Sequence, residues 1–533
     1  MGTGTAPHPI DRQQLVTPIR PLELERELAN HPNKGFVRQL LHNATHGCCI
    51  GYDGPHFSHV AQHLPTAYTH AHVITSSIEK ECLAGRMAGP YTQPPLPHLR
   101  CSGLGVVPKK DGGWRVIYHL SAPHGSSIND YIDPARFSLH YCTIDSAIST
   151  VNNLGPGTLM GKLDLKHAFR LIPVRKEDWH LLGIHWQGLW YVDKCLPFGL
   201  RSSPALFNML ADALEWTMLN NYQVTNAIHY LDDFFTAGPP NTDICHRNMQ
   251  AMAHACTAIN APIKSEKTEG PSTTLTFLGI QLDSVAMRAS ITADRKQELL
   301  TAILHLYPKR TCTKRHLLSL IGKLAFACKV VPPGRIFLRR LIDLSTTVGP
   351  THHHVTINSE ARADLNWWRQ FLPEWPENSL FLPLAPDMQL HTDASNTGYG
   401  AFWAGKWFNS TWSPAQLSLS IAWKELYAIV VACATWGSQW KGMRILFHCD
   451  NAAVVQIWQR GSCKCRELMV LVRTLFFLAA KGEYHVSISH IPGIQNTIAD
   501  HLSRFSMQAF RLAAPHAQPL PCQPHIPALL THT

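Results

Sequence analysis

Asp232 and Asp233 stand side by side in the run His229-Tyr230-Leu231-Asp232-Asp233-Phe234-Phe235, between aromatic and apolar neighbours. The flanks predict two short half-buried strands with the carboxylates at the turn between them. Adjacent carboxylates in an apolar setting repel each other and lose hydration, so they shift toward the protonated form unless cations compensate. An oxygen-rich site of this kind suits Mg²⁺, which favours carboxylates plus substrate phosphates over a closed protein cage. In isolation such a pair also fits an ordinary surface turn; its company decides the matter.

Three further segments supply that company. Upstream, Lys162-Leu163-Asp164-Leu165-Lys166-His167-Ala168-Phe169 reads as an apolar strand that delivers one carboxylate and runs into a helix. Between the two acidic segments, Leu196-Pro197-Phe198-Gly199-Leu200-Arg201-Ser202-Ser203-Pro204-Ala205-Leu206-Phe207 reads as a loop followed by a helix, and downstream Phe277-Leu278-Gly279-Ile280 as a hairpin. In this order the segments resemble the palm motifs of reverse transcriptases. The resemblance implies that Asp164 and Asp232 hold two Mg²⁺ ions (Mn²⁺ as an alternative), with Asp233 as a weaker third carboxylate. It also implies that Lys110 and Arg115, beside the turn Asp111-Gly112-Gly113, hold the triphosphate of a deoxynucleoside triphosphate. Lys110 over Lys109 depends on the turn's length. Phe169 falls where the family places a bulky aromatic beneath the sugar, where it would collide with a 2′-hydroxyl. Phe198 departs from the Gln that retroviral enzymes carry at that point.

A second acidic pattern begins at Met388. Asp393 ends a predicted strand, Glu425 lies on a helix whose apolar face is Leu426, Ile429, Val430 and Cys433, Asp450 ends the strand from Arg444, and Asp500 opens a helix. Strand ends and helix starts are where an α/β sheet converges distant side chains on one spot. The four acids in this order resemble the signature of the ribonuclease H family, which implies a second pair of Mg²⁺ ions and an RNA–DNA hybrid as substrate. His490 precedes Asp500 by ten residues but sits at a strand end, which argues against the mobile histidine of some relatives.

Charge locates a partner. Between Arg295 and Arg340 lie eleven Lys or Arg against one acid, Glu298, an excess equal to the +10 of the whole chain. A basic block of this kind implies a polyanion held by salt-sensitive phosphate contacts, here an RNA template and DNA primer. Apolar content of 45% indicates core-forming sequence. No apolar run approaches the roughly 20 residues that span a bilayer. The N-terminus lacks the grammar of a signal peptide, so the chain is expected in the cytoplasm or nucleus and not secreted. The fifteen cysteines show no paired metal-ligand spacing, and His352-His353-His354 reads as a solvated loop.

These readings predict an α/β and α+β multidomain chain: a right-hand polymerase with fingers, palm and helical thumb, followed by a ribonuclease H-like α/β domain. The expected divisions are an N-terminal extension and Pro-rich linker (1–95), fingers and palm (96–290), a basic helical thumb (291–345), a connection (346–386), the ribonuclease H-like domain (387–505) and a disordered tail (506–533). Leu299, Leu300, Ile303 and Leu304 are expected to share one buried helix face in the thumb, and Leu317, Leu320, Ile321 and Leu324 another. The runs Val331 to Arg340 and Leu365-Asn366-Trp367-Trp368, with His31-Pro32, Phe36-Val37 and Ile50-Gly51-Tyr52, resemble the DIRS-type retrotransposons more than retroviruses or gypsy-type elements. That resemblance implies a tyrosine recombinase supplied by another chain. The alternatives are a catalytically silent nucleic-acid-binding protein derived from such an element, and a chain in which only the ribonuclease H works.

Overall fold

The computed structural model describes residue 10 and residues 13–109, 112–374, 379–380, 386–461, 463–482 and 484–527. The chain divides into two compact units, Met1–Met287 and Arg288–Thr533.

The first unit opens with helices α1 (Pro21–Glu27) and α2 (Lys34–His46). Asn33 caps α2 by accepting from the Phe36 N–H at 2.9 Å. Leu24, Leu28, Val37 and Leu40 are buried in the same apolar cluster as Leu163, Leu210 and Phe234. The N-terminal region is therefore a layer on the palm core. Helix α3 (Ala71–Leu83) leads into strand β1 (Met87–Tyr91). This strand overturns part of the expected Pro-rich linker, because Pro90 lies inside it. It is an edge strand, and its register shifts between Ala88 and Tyr91. A proline has no N–H to give to a ladder, so an edge with an irregularity is where a sheet accepts one.

Strands β2 (Gly103–Pro108) and β3 (Trp114–His119) form the expected basic hairpin. Strand β4 (Leu159–Asp164) follows, then the hairpin of β5 (Gly183–Trp186) and β6 (Leu189–Asp193). Helix α4 (Ser203–Asn220) begins with a proline in its first turn, where the missing N–H costs nothing. Strands β7 (Ile228–Tyr230) and β8 (Asp233–Gly238), helix α5 (Ile244–Ala258) and strand β9 (Glu269–Ser272) complete an antiparallel palm sheet of order β9-β4-β8-β7. Helix α5 packs on β4 and β8. Strands β10 (Thr274–Phe277) and β11 (Ile280–Asp283) pair through Leu278 and Gly279, both at positive φ (48° and 76°). That two-residue turn is the kind whose twist matches a hairpin, and glycine fits its second position without strain.

After a short strand at Arg288–Ile291 the second unit carries helices α6 (Ala293–Leu306), α7 (Lys314–Ala327), α8 (Arg339–Ser345) and α9 (Ser359–Glu374). Leu299 and Ile303 are buried in α6, but Leu304 is 55% exposed, contrary to the predicted face. It lies about 100° around the helix from Ile303. Much of the expected connection is α9, where the buried Trp368 indole donates to the Phe337 carbonyl at 3.1 Å. Within the basic block Arg339 pairs with Asp343 and Arg340 with the buried Asp364, so these two cations are partly neutralised from within the unit.

Strands β12 (Met388–Ala394), β13 (Gly398–Trp403) and β14 (Lys406–Thr411) form an antiparallel meander. After helix α10 (Ile421–Trp436), strand β15 (Arg444–Cys449) joins parallel to β12. Helices α11 (Ala452–Arg460) and α12 (Arg466–Lys481) precede β16 (His485–His490), parallel to β15, and α13 (Thr497–Ser503) follows. The sheet order is β14-β13-β12-β15-β16. Helix α10 is apolar nearly all round and is buried on most faces.

The described part of the tail is ordered, which corrects the expectation of disorder after 505. Helix α14 (Met507–Ala513) buries Phe510, and Ala514 and Ala517 continue its apolar spacing against Phe402, Trp407 and Leu502. The Trp407 indole donates to the Gln518 carbonyl (2.8 Å), and the Cys522 N–H donates to the Trp407 carbonyl (2.7 Å). A tail rich in Pro, Ala and His concealed an i, i+4, i+7 pattern at these three residues. Phe510→Ala is expected to cost about 3–5 kcal/mol of stability, as for a buried Phe elsewhere. A urea titration measures it, and an unchanged midpoint would mean the tail contributes no core.

Candidate functional site

In the first unit the palm sheet brings Asp164, Asp232 and Asp233 together. Strand β4 ends on Asp164, which stands opposite Asp233, the first residue of β8, in antiparallel register. The Leu165 N–H donates to the Asp232 carbonyl at 2.9 Å, which fixes the turn to the end of β4. Leu231 in that turn has φ 55°, and His167 and Ala168 after β4 have φ 71° and 41°. Non-glycine residues at positive φ are uncommon and concentrate where surrounding structure holds a functional turn.

Burial pushes the Asp232 carboxyl up from its ordinary range, and the Asp164 charge adds to it. Asp233 is pushed up to about 6 by burial and then by Asp232 and Asp164. Compensating cations are present that sequence reasoning missed. The Lys264 ammonium donates to Asp164 Oδ1 (2.6 Å) and Lys267 to Oδ2 (3.2 Å), while the Lys264 backbone N–H donates to the Asp164 carbonyl (2.8 Å). No motif announces them; they come from a turn about one hundred residues downstream. A second missed group is His229. Its Nδ1 lies 2.5 Å from Glu215 on α4, and Nε2 faces Asn208 and Asp212, so β7 is tied to the helix behind it.

Phe169 is half-buried, with ring centroids 5.1 Å from Phe198 and 5.6 Å from Phe207. Arg115 is exposed on β3 opposite Val107. Among the described residues no hydrogen bond or ion pair joins it to the three carboxylates. Lys110 lies outside the described residues. Lys109 donates its backbone N–H to the Gly113 carbonyl at 2.7 Å, closing the hairpin.

In the second unit Asp393, Glu425, Asp450 and Asp500 converge from β12, α10, the end of β15 and α13. Asp393 Oδ2 accepts from the Ser503 hydroxyl (2.6 Å), and Glu425 Oε1 from the Ala394 N–H (3.1 Å). Asp500 Oδ1 accepts from Arg504 Nε (2.6 Å), and the His490 ring donates from Nε2 to the Asp450 carbonyl (3.2 Å). A side chain at Gly493 would bring Cβ to 3.2 Å from Asp450 Oδ2. Burial raises Asp393 to about 6 against the Ser503 hydrogen bond, with Asp450 and Asp500 adding to it. Burial also holds Glu425 well above its ordinary value, reinforced by Asp393 and Asp450. Asp393 and Glu425 thus feel the charge of acidic neighbours drawn from other elements.

Among the described residues, the set of three possible ligands whose atoms all fall within 4.8 Å of one another is Glu425, Cys449 and Asp450. Burial raises the Cys449 thiol, so the donors that remain in this set are the carboxyl oxygens of Glu425 and Asp450. Such hard donors fit Mg²⁺ or Mn²⁺ better than zinc. The same chemistry holds for the palm carboxylates, whose mutual repulsion a divalent cation would relieve.

The electrostatics make a stability prediction. Asp393, with its pKa raised to about 6, binds a proton in the folded state that the unfolded chain releases, so stability falls as pH rises from about 4 to about 6. In chelator at pH 7.5 Asp393→Asn should therefore be more stable than wild type by on the order of 2–3 kcal/mol and melt at a higher temperature. The gap should close as pH falls through that window. A lower melting temperature for the variant at pH 7.5 would refute the cost of burying this charge.

Comparison with known proteins bears on both units. Residues 107–282 match the family described as "Reverse transcriptase (RNA-dependent DNA polymerase)", a span that contains Arg115, Asp164, Phe169, Asp232 and Asp233. The Transposon Tf2-3 and Tf2-7 polyproteins of Schizosaccharomyces pombe are each 23% identical over 423 residues, covering 75% of this chain. The chain spans 28% of the length of those relatives. A solved foamy viral protease-reverse transcriptase dRH in complex with double-stranded DNA shares the fold at a TM-score of 0.51 and 17% identity, over 91% of this chain and 84% of that one. The chain thus carries a reverse transcriptase domain of the kind found in a retrotransposon polyprotein.

Proposed function

We propose that the chain is an RNA-directed DNA polymerase with ribonuclease H activity, which copies retrotransposon RNA into DNA and degrades the RNA strand of the hybrid. The observation that carries this reading is the register of Asp164 opposite Asp233 inside the matched reverse transcriptase segment, with Asp232 in the adjoining turn. The second acid cluster supports the hydrolytic half. DIRS-type membership, which would make a tyrosine recombinase a functional partner, rests on the segments Val331 to Arg340 and Leu365 to Trp368. The site of action would be the cytoplasm or nucleus; no described helix is long and apolar enough to cross a membrane.

Asp164, Asp232 and Asp233 would hold a pair of divalent ions in the palm, and Asp393, Glu425, Asp450 and Asp500 a second pair. When bound, such ions lower the pKa of an attacking hydroxyl or water and offset charge on the leaving oxygen. The chain's own groups do the rest. Lys264 and Lys267 fix the orientation of the Asp164 carboxylate. Arg115 and Lys110 would neutralise the triphosphate of the incoming deoxynucleotide, a preorganised electrostatic contribution. Phe169 would close the space beneath C2′ of the sugar. Cations of the thumb would bind the sugar-phosphate backbone of the template–primer duplex and weaken with salt.

The test is Mg²⁺-dependent extension of a DNA primer on an RNA template, with cleavage of the RNA strand followed in parallel. Extension without RNA cleavage would leave the polymerase reading alone standing, cleavage without extension the hydrolase reading alone, and neither would refute both. Phe169→Val is expected to raise ribonucleotide insertion relative to deoxynucleotide by about 10–100-fold, the scale of a small steric discrimination. Unchanged sugar discrimination would remove Phe169 from that role.

A further inference from the structure

Directly after Phe169 the chain buries a charge that the mechanism above does not use. Arg170 is 6% exposed, and each of its three guanidinium nitrogens donates a hydrogen bond. One terminal nitrogen donates to Asp193 Oδ2 (2.7 Å), to the Cys195 carbonyl (3.2 Å) and to the Leu196 carbonyl (3.5 Å). The other terminal nitrogen and Nε both reach Glu81 Oε2, at 2.8 and 3.1 Å. Arg86 grips the same Glu81 in a fork, at 2.8 and 2.9 Å. Asp193 in turn accepts from the Cys195 N–H at 3.2 Å.

The location of these bonds matters more than their number. Cys195 and Leu196 open the loop that carries Phe198, and Arg170 adjoins Phe169. One guanidinium therefore fixes the two backbone segments whose aromatic rings meet at 5.1 Å. The segment leading to Phe169 passes through His167 and Ala168 at positive φ, a conformation that persists only where neighbouring structure over-determines it. A buried ion pair is a poor way to gain stability, since apolar residues of the same volume often do as well. What it supplies here is geometry, from the planar fork of an arginine that a lysine does not reproduce.

We propose that Arg170 is a positioning residue for sugar selection: it holds Phe169 and Phe198 as one two-ring wall, so that discrimination against a 2′-hydroxyl depends on the guanidinium as well as on Phe169. This inference rests on the polymerase reading given above.

The experiment is single-nucleotide insertion by the full chain on an RNA template, with kcat/KM measured for a deoxynucleotide and the matching ribonucleotide. Arg170→Lys is expected to lower the deoxy-to-ribo ratio about tenfold through faster ribonucleotide insertion, and Phe198→Leu to lower it likewise. Combined with Phe169→Val, neither should lower the ratio much further, because residues acting as one unit are non-additive. A merely structural role would slow both nucleotides alike and leave the ratio where it was, and that result overturns the proposal. If Arg170→Lys loses its cooperative melting transition, Phe198→Leu decides: an unchanged ratio, or full additivity with Phe169→Val, overturns it. A wild-type chain that inserts neither nucleotide overturns the polymerase reading and this proposal with it, whereas a wild type that discriminates beside variants of equal ratio overturns this proposal alone.

Discussion

Asp232→Asn is expected to lower primer extension by about 10³-fold or more while leaving cleavage of a hybrid's RNA strand within about twofold of wild type. The size follows from the several kcal/mol that a metal-held charge contributes to such a transition state, at about 1.4 kcal/mol per tenfold. The substitution keeps the side chain's volume and its place in the turn, where the Leu165 N–H donates to the residue's backbone carbonyl. It also removes a charge that burial and Asp164 both oppose, so the fold should not suffer. Extension products resolved on a denaturing gel, beside a melting curve, separate lost chemistry from lost structure. An Asn variant that extends at the wild-type rate would remove Asp232 from the catalytic set.

The mirror prediction concerns the second unit. Asp393→Asn should lower RNA-strand cleavage by a comparable factor of about 10³ while polymerisation continues. Ser503 can still donate to the amide oxygen, so the local hydrogen bond survives the exchange. This variant is also the one expected to melt higher in chelator, and the two effects share one cause. A carboxylate held among Asp450, Asp500 and Glu425 is costly to bury without a cation. Loss of cleavage together with a gain in stability is a combination that ordinary misfolding does not produce.

Five of the acids stand out in local sequence because each sits at or beside the end of a strand of clear pattern, whereas Glu425 lies inside α10 and Asp500 inside α13. Asp164 closes an apolar strand, Asp232 and Asp233 interrupt an aromatic run, and Asp393 and Asp450 terminate strands of the second sheet. The groups that tune them were not readable. Lys264 and Lys267 reach Asp164 from about one hundred residues away, and Arg170 meets Glu81 and Asp193 across the fold. Pairing at such separations leaves no period in the sequence.

Composition misled in two places. The passage from Pro90 begins as an edge strand, since an edge tolerates a missing donor. The tail's Pro, Ala and His content points to disorder, although Phe510, Ala514 and Ala517 carry a helical stripe. The N-terminal layer was missed for a related reason. Leu24, Leu28 and Leu40 show an amphipathic face, but nothing in the face says which core it covers. Leu304 shows the same limit from the other side, as an apolar residue adjacent to a buried stripe that is itself exposed.

If two separate clusters of carboxylates serve two reactions, single substitutions in each should divide polymerisation from cleavage. A primed RNA template labelled on both strands is incubated with Mg²⁺, deoxynucleotides and either the wild-type chain, Asp232→Asn or Asp393→Asn. Wild type is expected to lengthen the DNA and shorten the RNA, Asp232→Asn only to shorten RNA, and Asp393→Asn only to lengthen DNA. Loss of both activities from either substitution in a folded variant, or of neither from both, would contradict this division.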